Sequence, residues 1–353
     1  MNAPLVLSVL DQSPVPEGST GGDALRNTID LARLADELGY HRYWLAEHHN
    51  GPLLAGPSPE VLIGPVAMAT SRLRVGSGGV MLPHYSPLKV AESFSVLAGL
   101  FGDRIDLAIG RAPGTDPMTA FALQRDRRQA APDDFPEQLA ELLALLEDRI
   151  PPGHPFARLS KLPGHPNAPE PWLLGSSPQS AVWAAELGLP YAFADFINPQ
   201  GASIAADYRA RFQDSQRLTA PHLAVAVWAI AADSDEEAQR LAASARMTMT
   251  LLRRGQLIRV PPPEKALRFL ESEGLPLDAA PHGRRTIVGA PDTVHAGIRE
   301  VADAYGAQEV IVVAITYDHR ARRRSYELIA EASGLERAPG AAPRERVASP
   351  ASD

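Results

Sequence analysis

Four stretches of this chain end in residue types that hold protons or anions. Tyr43-Trp44-Leu45-Ala46-Glu47-His48-His49 is apolar in its body and closes on one acid and two imidazoles. Arg74-Val75-Gly76-Ser77-Gly78-Gly79-Val80-Met81-Leu82-Pro83 carries two adjacent glycines inside a strand-like run. Ile105-Asp106-Leu107-Ala108-Ile109 breaks into Gly110-Arg111-Ala112-Pro113-Gly114-Thr115-Asp116, and Trp172-Leu173-Leu174 into Gly175-Ser176-Ser177-Pro178. Each ending suggests a chemistry. Neighbouring residues on a strand point to opposite faces, so only one of His48 and His49 can face a common site. That one is either a general acid/base or substrate contact, or simply a buried, hydrogen-bonded histidine. Arg111 offers a planar fork that matches phosphate, or a surface ion pair. Gly175, Ser176 and Ser177 open a helix whose free N–H groups and hydroxyls suit an anion, or an ordinary cap. Ser77-Gly78-Gly79 is either a bulge or a bare backbone platform that a flat ring approaches closely. Arg111 and Ser176 would meet between two adjacent strands, which makes a phosphate there a stronger reading than either residue gives alone.

These endings need a frame that brings them to one place. Apolar strand-like runs occur at residues 5–10, 43–48, 73–82, 105–109, 172–174, 191–196, 223–231 and 310–315, with helical spacing between them. Helices are expected over 23–38, 58–70, 86–101, to about 147 after a long polar loop 111–133, 177–188, 201–212, from a capping box at Ser234 and Glu237, over 291–305, and over 320–333. Eight alternations predict a (β/α)8 TIM barrel with an insertion before the last strand, and polar strand endings at the carboxyl end are where such barrels build their sites. The insertion is expected at about 252–285, with a short helix near 264–273; the barrel domain spans 1–336 and the Ala/Pro/Arg/Ser-rich 337–353 is expected to be a disordered tail. Asp11-Gln12-Ser13-Pro14 after the first strand is not the Gly-rich turn of a dinucleotide fold.

The chain of 353 residues has a net charge of -8, 45% hydrophobic residues and no cysteine. Disulfides and thiol chemistry are therefore excluded, and nucleic-acid binding is disfavoured. The absence of an export signal or an apolar run long enough to span a bilayer predicts a cytoplasmic protein. No cluster with metal-ligand spacing accompanies the histidines. Trp44, Trp172, Trp183 and Trp228 read as core or barrel wall. Arg322-Arg323-Arg324 reads as a solvated helix face, and Arg284-Arg285 as either solvated or a second anion contact.

In order and spacing, Ala46-Glu47-His48-His49, Val75–Pro83, Ala91-Glu92, Ile105–Arg111, Leu174-Gly175-Ser176-Ser177 and Val288-Gly289-Ala290-Pro291 resemble the bacterial luciferase-like flavin monooxygenases, from about residue 5 to 335. The loop 110–116 is similar to that of a single-chain oxidoreductase subgroup rather than the light-emitting enzyme. The resemblance implies FMN in the barrel mouth, with a non-proline cis peptide joining Gly78 and Gly79 against the ring, Ser77, Arg111, Gly175, Ser176 and Ser177 around the flavin, His48 as catalytic histidine and Glu47 as its acidic neighbour. It implies a homodimer through the first three helices, reduced FMN delivered by a separate flavin reductase, and O2 reacting by way of a flavin hydroperoxide to oxygenate a small organic substrate. Glycine at 110 and 175, where the light-emitting enzyme carries a cysteine and an acid, argues against light emission. A deazaflavin-dependent hydride-transfer oxidoreductase and a non-catalytic flavin-binding protein are the alternatives.

Overall fold

A computed structural model describes residues 5–124, 126–129, 133–277 and 285–338. Eight parallel strands close on themselves: β1 (Val6–Asp11), β2 (Arg42–Leu45), β3 (Arg74–Met81), β4 (Ile105–Gly110), β5 (Glu170–Gly175), β6 (Tyr191–Ala194), β7 (Leu223–Ala231) and, after a gap in order, β9 (Glu309–Val313), which returns to pair with β1. Their near-continuous burial explains their near-continuous apolar sequences, because helices cover the outside and side chains fill the inside. The expected barrel is present, and all eight anticipated strands form it.

A ninth strand was not anticipated. β8 (Thr286–Gly289) pairs only with the last residues of the long β7, Trp228–Ala231, while the first half of β7 holds β6 and β9. β8 follows the expected insertion, which contains α9 (Pro263–Ser272) after the long α8 (Asp235–Arg253). Residues 278–284, including Arg284, and the tail 339–353 lie outside the described residues.

The outer helices α1 (Gly21–Leu38), α2 (Pro59–Ala69), α3 (Pro87–Phe101), α5 (Phe135–Leu146), α6 (Pro178–Glu186), α7 (Ala202–Arg211), α10 (Pro291–Tyr305) and α11 (His319–Ala332) match the sequence spacing. α1 starts two residues before the expected Asp23, because Thr20 and Asp23 form a full capping box. Ser58 and Ser86 do not cap with their side chains; proline at the first helical position sets those starts instead. Gly39 ends α1 at φ 88°, and a Cβ there would lie 2.2 Å from the Glu336 carbonyl, so the close approach itself requires glycine.

The amino end of the barrel is sealed by an ionic layer. Arg42, buried at 4% exposure, binds Asp106 at 2.8 Å and Glu309 at 3.1 Å, and Trp44 Nε1 donates to the same Asp106 at 2.9 Å. Arg74 closes on the far oxygen of Asp106 at 2.5 Å. Buried charges persist only when paired in this way. The carboxyl end is the one that remains open.

Candidate active site

β1 ends on Asp11, whose carboxylate is pinned inside the wall. It accepts from Ser13 N at 2.7 Å, from Arg322 Nη2 at 2.8 Å and from the Tyr43 hydroxyl. Burial alone would raise this carboxyl, but the Arg322 guanidinium and the donated hydrogen bonds outweigh it and hold Asp11 ionised. Arg322 therefore corrects the reading of Arg322–Arg324 as a solvated face. It is buried at 3% exposure, while Arg323 and Arg324 stay outside and pair with Asp30 and Asp233. Fixing Asp11 fixes its neighbour Gln12, whose side chain reaches the barrel mouth.

β2 stops at Leu45, so the two histidines stand on a loop and not on the strand. Glu47 organises that loop. Its buried carboxylate accepts from His49 Nε2 at 2.8 Å, from the Tyr85 hydroxyl at 3.0 Å and from Met81 N at 3.0 Å. His49 is thereby turned away and His48 lines the mouth; the Glu47 contact on a loop separates them, not the strand alternation expected from the sequence. His48 Nδ1 lies 2.6 Å from the Glu47 carbonyl, which can only accept, so Nδ1 carries the proton. Burial lowers the His48 pKa and keeps the ring neutral. Its Nε2 lone pair then faces the Gln12 amide nitrogen at 3.4 Å.

The peptide between Gly78 and Gly79 is cis. The β3–β4 register shifts between Gly78 and Val80. A Cβ on Gly78 would lie 2.7 Å from Leu10 and 2.8 Å from Trp44; one on Gly79 would lie 2.6 Å from the Ala108 carbonyl. Gly78 lines the mouth. Ser77 does not: it is fully buried and donates to the Ala108 carbonyl at 2.9 Å.

Arg111 follows β4 with its side chain 51% exposed, 3.6 Å from Asp133, and with its guanidinium 5.7 Å from the centre of the Trp183 ring. Trp183, read as wall, is thus also the surface on which Arg111 rests. After β5, Ser177 caps α6 by accepting from Ser180 N at 3.4 Å, the ordinary cap reading. Asn198 holds the Ser176 carbonyl at 3.1 Å, and among the described residues the Ser176 hydroxyl has no protein partner. A Cβ on Gly175 would lie 2.4 Å from Ser180 Oγ. Arg285, read as either solvated or a second anion contact, lies 3.6 Å from the buried Asp195.

These groups converge on one cavity of about 570 Å³ at the carboxyl end of the barrel. Gln12, His48, Gly78, Arg111, Ser176 and Ser177 all line it, with Gly110 and Gly175. Glu47, Ser77 and Gly79 stand behind its wall. Gln12 was not singled out from sequence, although its place one residue past a strand end is the same signal that marks Arg111. The expected loop 111–133 contains a short helix, α4 (Pro117–Leu123), capped by Asp116. It is tied to the histidine loop by Asn50 to Thr119 at 2.7 Å and by Thr115 to the His49 carbonyl at 3.2 Å. Among the described residues no acid or imidazole cluster suits a metal ion.

A closed β/α barrel with an imidazole, an arginine and two serines lining its carboxyl mouth defines the class of protein. The chain belongs to the luciferase-like monooxygenase family, which matches residues 6–308. A luciferase-like monooxygenase of Escherichia coli (strain K12) is 41% identical over 325 residues, covering 92% of this chain and 96% of that protein. The N-acetyl-S-alkylcysteine monooxygenase of Bacillus subtilis (strain 168) is 36% identical over 329 residues, covering 92% and 97%. The crystal structure of apo-MsnO8 superposes with a TM-score of 0.87 at 41% identity, covering 95% of this chain and all (100%) of that one. The protein is a monooxygenase-type enzyme, which sets aside the reading of a non-catalytic flavin-binding protein.

Proposed function

We propose that the protein uses reduced FMN, delivered by a separate reductase, and O2 to oxygenate a small organic substrate. The observation that carries this is the lining of the cavity at the carboxyl mouth: bare glycine backbone at Gly78, Gly110 and Gly175 together with the neutral His48 and the anion-binding groups Arg111 and Ser176. A flat ring with a phosphate-bearing tail fits that sequence of surfaces; packing also requires the glycines, since a Cβ at Gly78 or Gly175 would collide with Leu10 and Trp44 or with Ser180. The N-terminus of α6 and the open Ser176 hydroxyl suit the phosphate, with Ser177 kept as cap. Bound reduced flavin would supply the electrons that activate O2. His48 would accept or return a proton through Nε2, and Glu47 would hold the loop that aims it. The loop bearing α4 would help to exclude water.

The test is anaerobic titration with reduced FMN, followed by O2, with oxygen uptake and flavin reoxidation recorded. Tight binding with oxygen uptake supports the reading. Binding without oxygen uptake favours the deazaflavin alternative, and no binding of FMN overturns both the cofactor and the roles given to Arg111 and Ser176. We also propose a homodimer. Val61 and Met68 on α2 and Val96 and Leu100 on α3 are 70%, 77%, 48% and 70% exposed, and large apolar side chains gathered on one face mark an association surface. Sedimentation of the wild type and of Met68→Glu distinguishes dimer from monomer. Among the described residues no helix is long and apolar enough to cross a membrane, and a cytoplasmic setting goes with a reductase partner.

A further inference from the structure

We infer that Asn198 is a positioning residue for the phosphate end of the cavity: its side-chain amide, reaching across from the next loop, holds the Ser176 backbone in the pose that presents the Ser176 hydroxyl and the amino end of α6. This rests on the flavin reading above. Ser176 stands in the turn between β5 and α6, where Ser177 is the residue that caps the helix. From the turn after β6, Asn198 Nδ2 donates to the Ser176 carbonyl at 3.1 Å. The amide is fixed in turn, because Gln200 N lies 3.1 Å from Asn198 Oδ1. A backbone N–H can only donate, so the oxygen of the amide faces Gln200 and its NH2 faces Ser176.

The loop that carries Asn198 is clamped at both ends on one residue. At its start Asp195, fully buried, accepts from the Tyr305 hydroxyl at 2.8 Å. At its end Gly201 N, at the start of α7, donates to the same hydroxyl oxygen at 3.1 Å. A hydroxyl gives one proton and accepts others, so both bonds form together. Tyr305 is the last residue of α10, fully buried, with its ring 5.4 Å from that of Phe193. A Cβ on Gly201 would collide with the same Phe193 ring. Inside the clamp, Ile197 N and Asn198 N donate to the Ala194 carbonyl at 3.0 and 3.1 Å. The segment 195–201 is thus a closed loop with Asn198 at its middle, while its neighbour Ile197 lines the cavity. Joining β6 to α7 requires the clamp but not an arm to the neighbouring turn. That arm ends on Ser176, whose hydroxyl is open to the cavity. Without it the Ser176 peptide can turn, which moves the hydroxyl and the N–H groups at the start of α6. Gly78 lies on β3 and is not touched, so a phosphate should feel the loss and a ring should not.

The test is fluorescence titration of FMN and of riboflavin, which lacks the phosphate, with wild type, Asn198→Leu, Asn198→Ala, Ser176→Ala and the double variant Ser176→Ala/Asn198→Ala. Both Asn198 variants are expected to bind FMN about three- to tenfold more weakly, the worth of one neutral hydrogen bond, with riboflavin affinity unchanged. Asn198→Ala should weaken FMN less on the Ser176→Ala background than alone, because the two residues act as a unit. Unchanged FMN affinity in both variants, an equal loss of both flavins in both, or full additivity in the double variant would overturn the proposal and leave the flavin reading standing. Failure of the wild type to bind FMN would overturn the flavin reading and this one with it.

Discussion

Replacing Arg111 with alanine should separate phosphate recognition from ring recognition. The guanidinium is held in place before any ligand arrives. Its contact with Asp133 at 3.6 Å joins side chains 51% and 80% exposed, and such a surface pair contributes about 0–1 kcal/mol. The Trp183 ring at 5.7 Å contributes on the order of 0.5–1 kcal/mol at an exposed site. Neither is strong enough to compete with a phosphate. A hydrogen bond to a charged group is worth roughly 1.5–3 kcal/mol, and half-exposure places Arg111 in the lower part of that range. A loss of about 1.5–2 kcal/mol corresponds to FMN binding roughly 10–30-fold more weakly. Riboflavin lacks the phosphate, so its affinity should be the same in Arg111→Ala as in wild type. Fluorescence titration of both flavins at fixed ionic strength gives the comparison. Arg111→Lys should fall between, because it keeps charge but loses the fork. If Arg111→Ala weakens FMN and riboflavin by the same factor, the residue shapes the loop and does not hold phosphate.

Other consequences concern the imidazole, the glycine platform and the sealed end. Burial lowers the His48 pKa, so a step needing its neutral ring should persist as pH falls past the ordinary imidazole value of 6.5, and fail only below it. The pH profile of kcat/KM should show that low acid limb in wild type and lose it in His48→Gln; a limb at or above 6.5 would contradict the assignment. Gly79→Ala would bring a Cβ to 2.6 Å from the Ala108 carbonyl and 2.7 Å from Leu174. Overpacking against backbone costs about 1–3 kcal/mol, which urea unfolding should show as a lower midpoint. Glu309 is held down to about 2 from an ordinary 4.5; burial opposes this, and Arg42, His222 and Ser8 outweigh it. A depressed carboxyl gives its full stabilisation above 4.5 and loses it as pH falls toward 2, on the order of 3 kcal/mol. Glu309→Gln should be less stable at neutral pH and should lack that part of the acid dependence in equilibrium unfolding.

The barrel was legible because its signal is redundant. Eight strands buried on both faces must be apolar along most of their length, and helices such as α1 and α10 carry clear periodic faces. Elements without that constraint stayed hidden. α4 has no buried residue, so it has no apolar face to read, and only the Asp116 cap betrays it. β8 is four residues long and pairs with one strand end. Ser58-Pro59 and Ser86-Pro87 mark helix starts through the proline, although neither serine hydroxyl caps. Arg322 was misread for a different reason. Its partner Asp11 lies 311 residues away, and no local pattern distinguishes a buried arginine from two solvated neighbours. The site shows the same division. His48, Arg111 and Ser176 announce themselves as polar residues at strand ends, whereas the removal of Ser77 from the cavity depends on which way one hydroxyl turns.

Both ends of this barrel are polar, and the difference between them is one of satisfaction. At the amino end Arg42, Arg74, Asp106 and Glu309 bind one another at 2.5–3.1 Å. Each charge there is answered by the protein, so the layer stabilises and has nothing to offer a ligand. At the carboxyl end the groups behind the wall are also answered: Glu47 by three donors, Asp11 by Arg322, Ser77 by Ala108. The groups on the cavity surface are not. The Ser176 hydroxyl and one Gln12 N–H lack a protein partner among the described residues, the Arg111 side chain is half-exposed and meets Asp133 only at 3.6 Å, and His48 Nε2 has only a long contact. Buried atoms elsewhere among the described residues, Gln138 Oε1, Trp172 Nε1, Trp228 Nε1 and Ser244 Oγ, also lack a hydrogen-bond partner, but none of them lines this cavity. Unfilled valences held rigid by filled ones are what preorganised binding requires, and that contrast is the physical ground for proposing the chemistry at the carboxyl mouth.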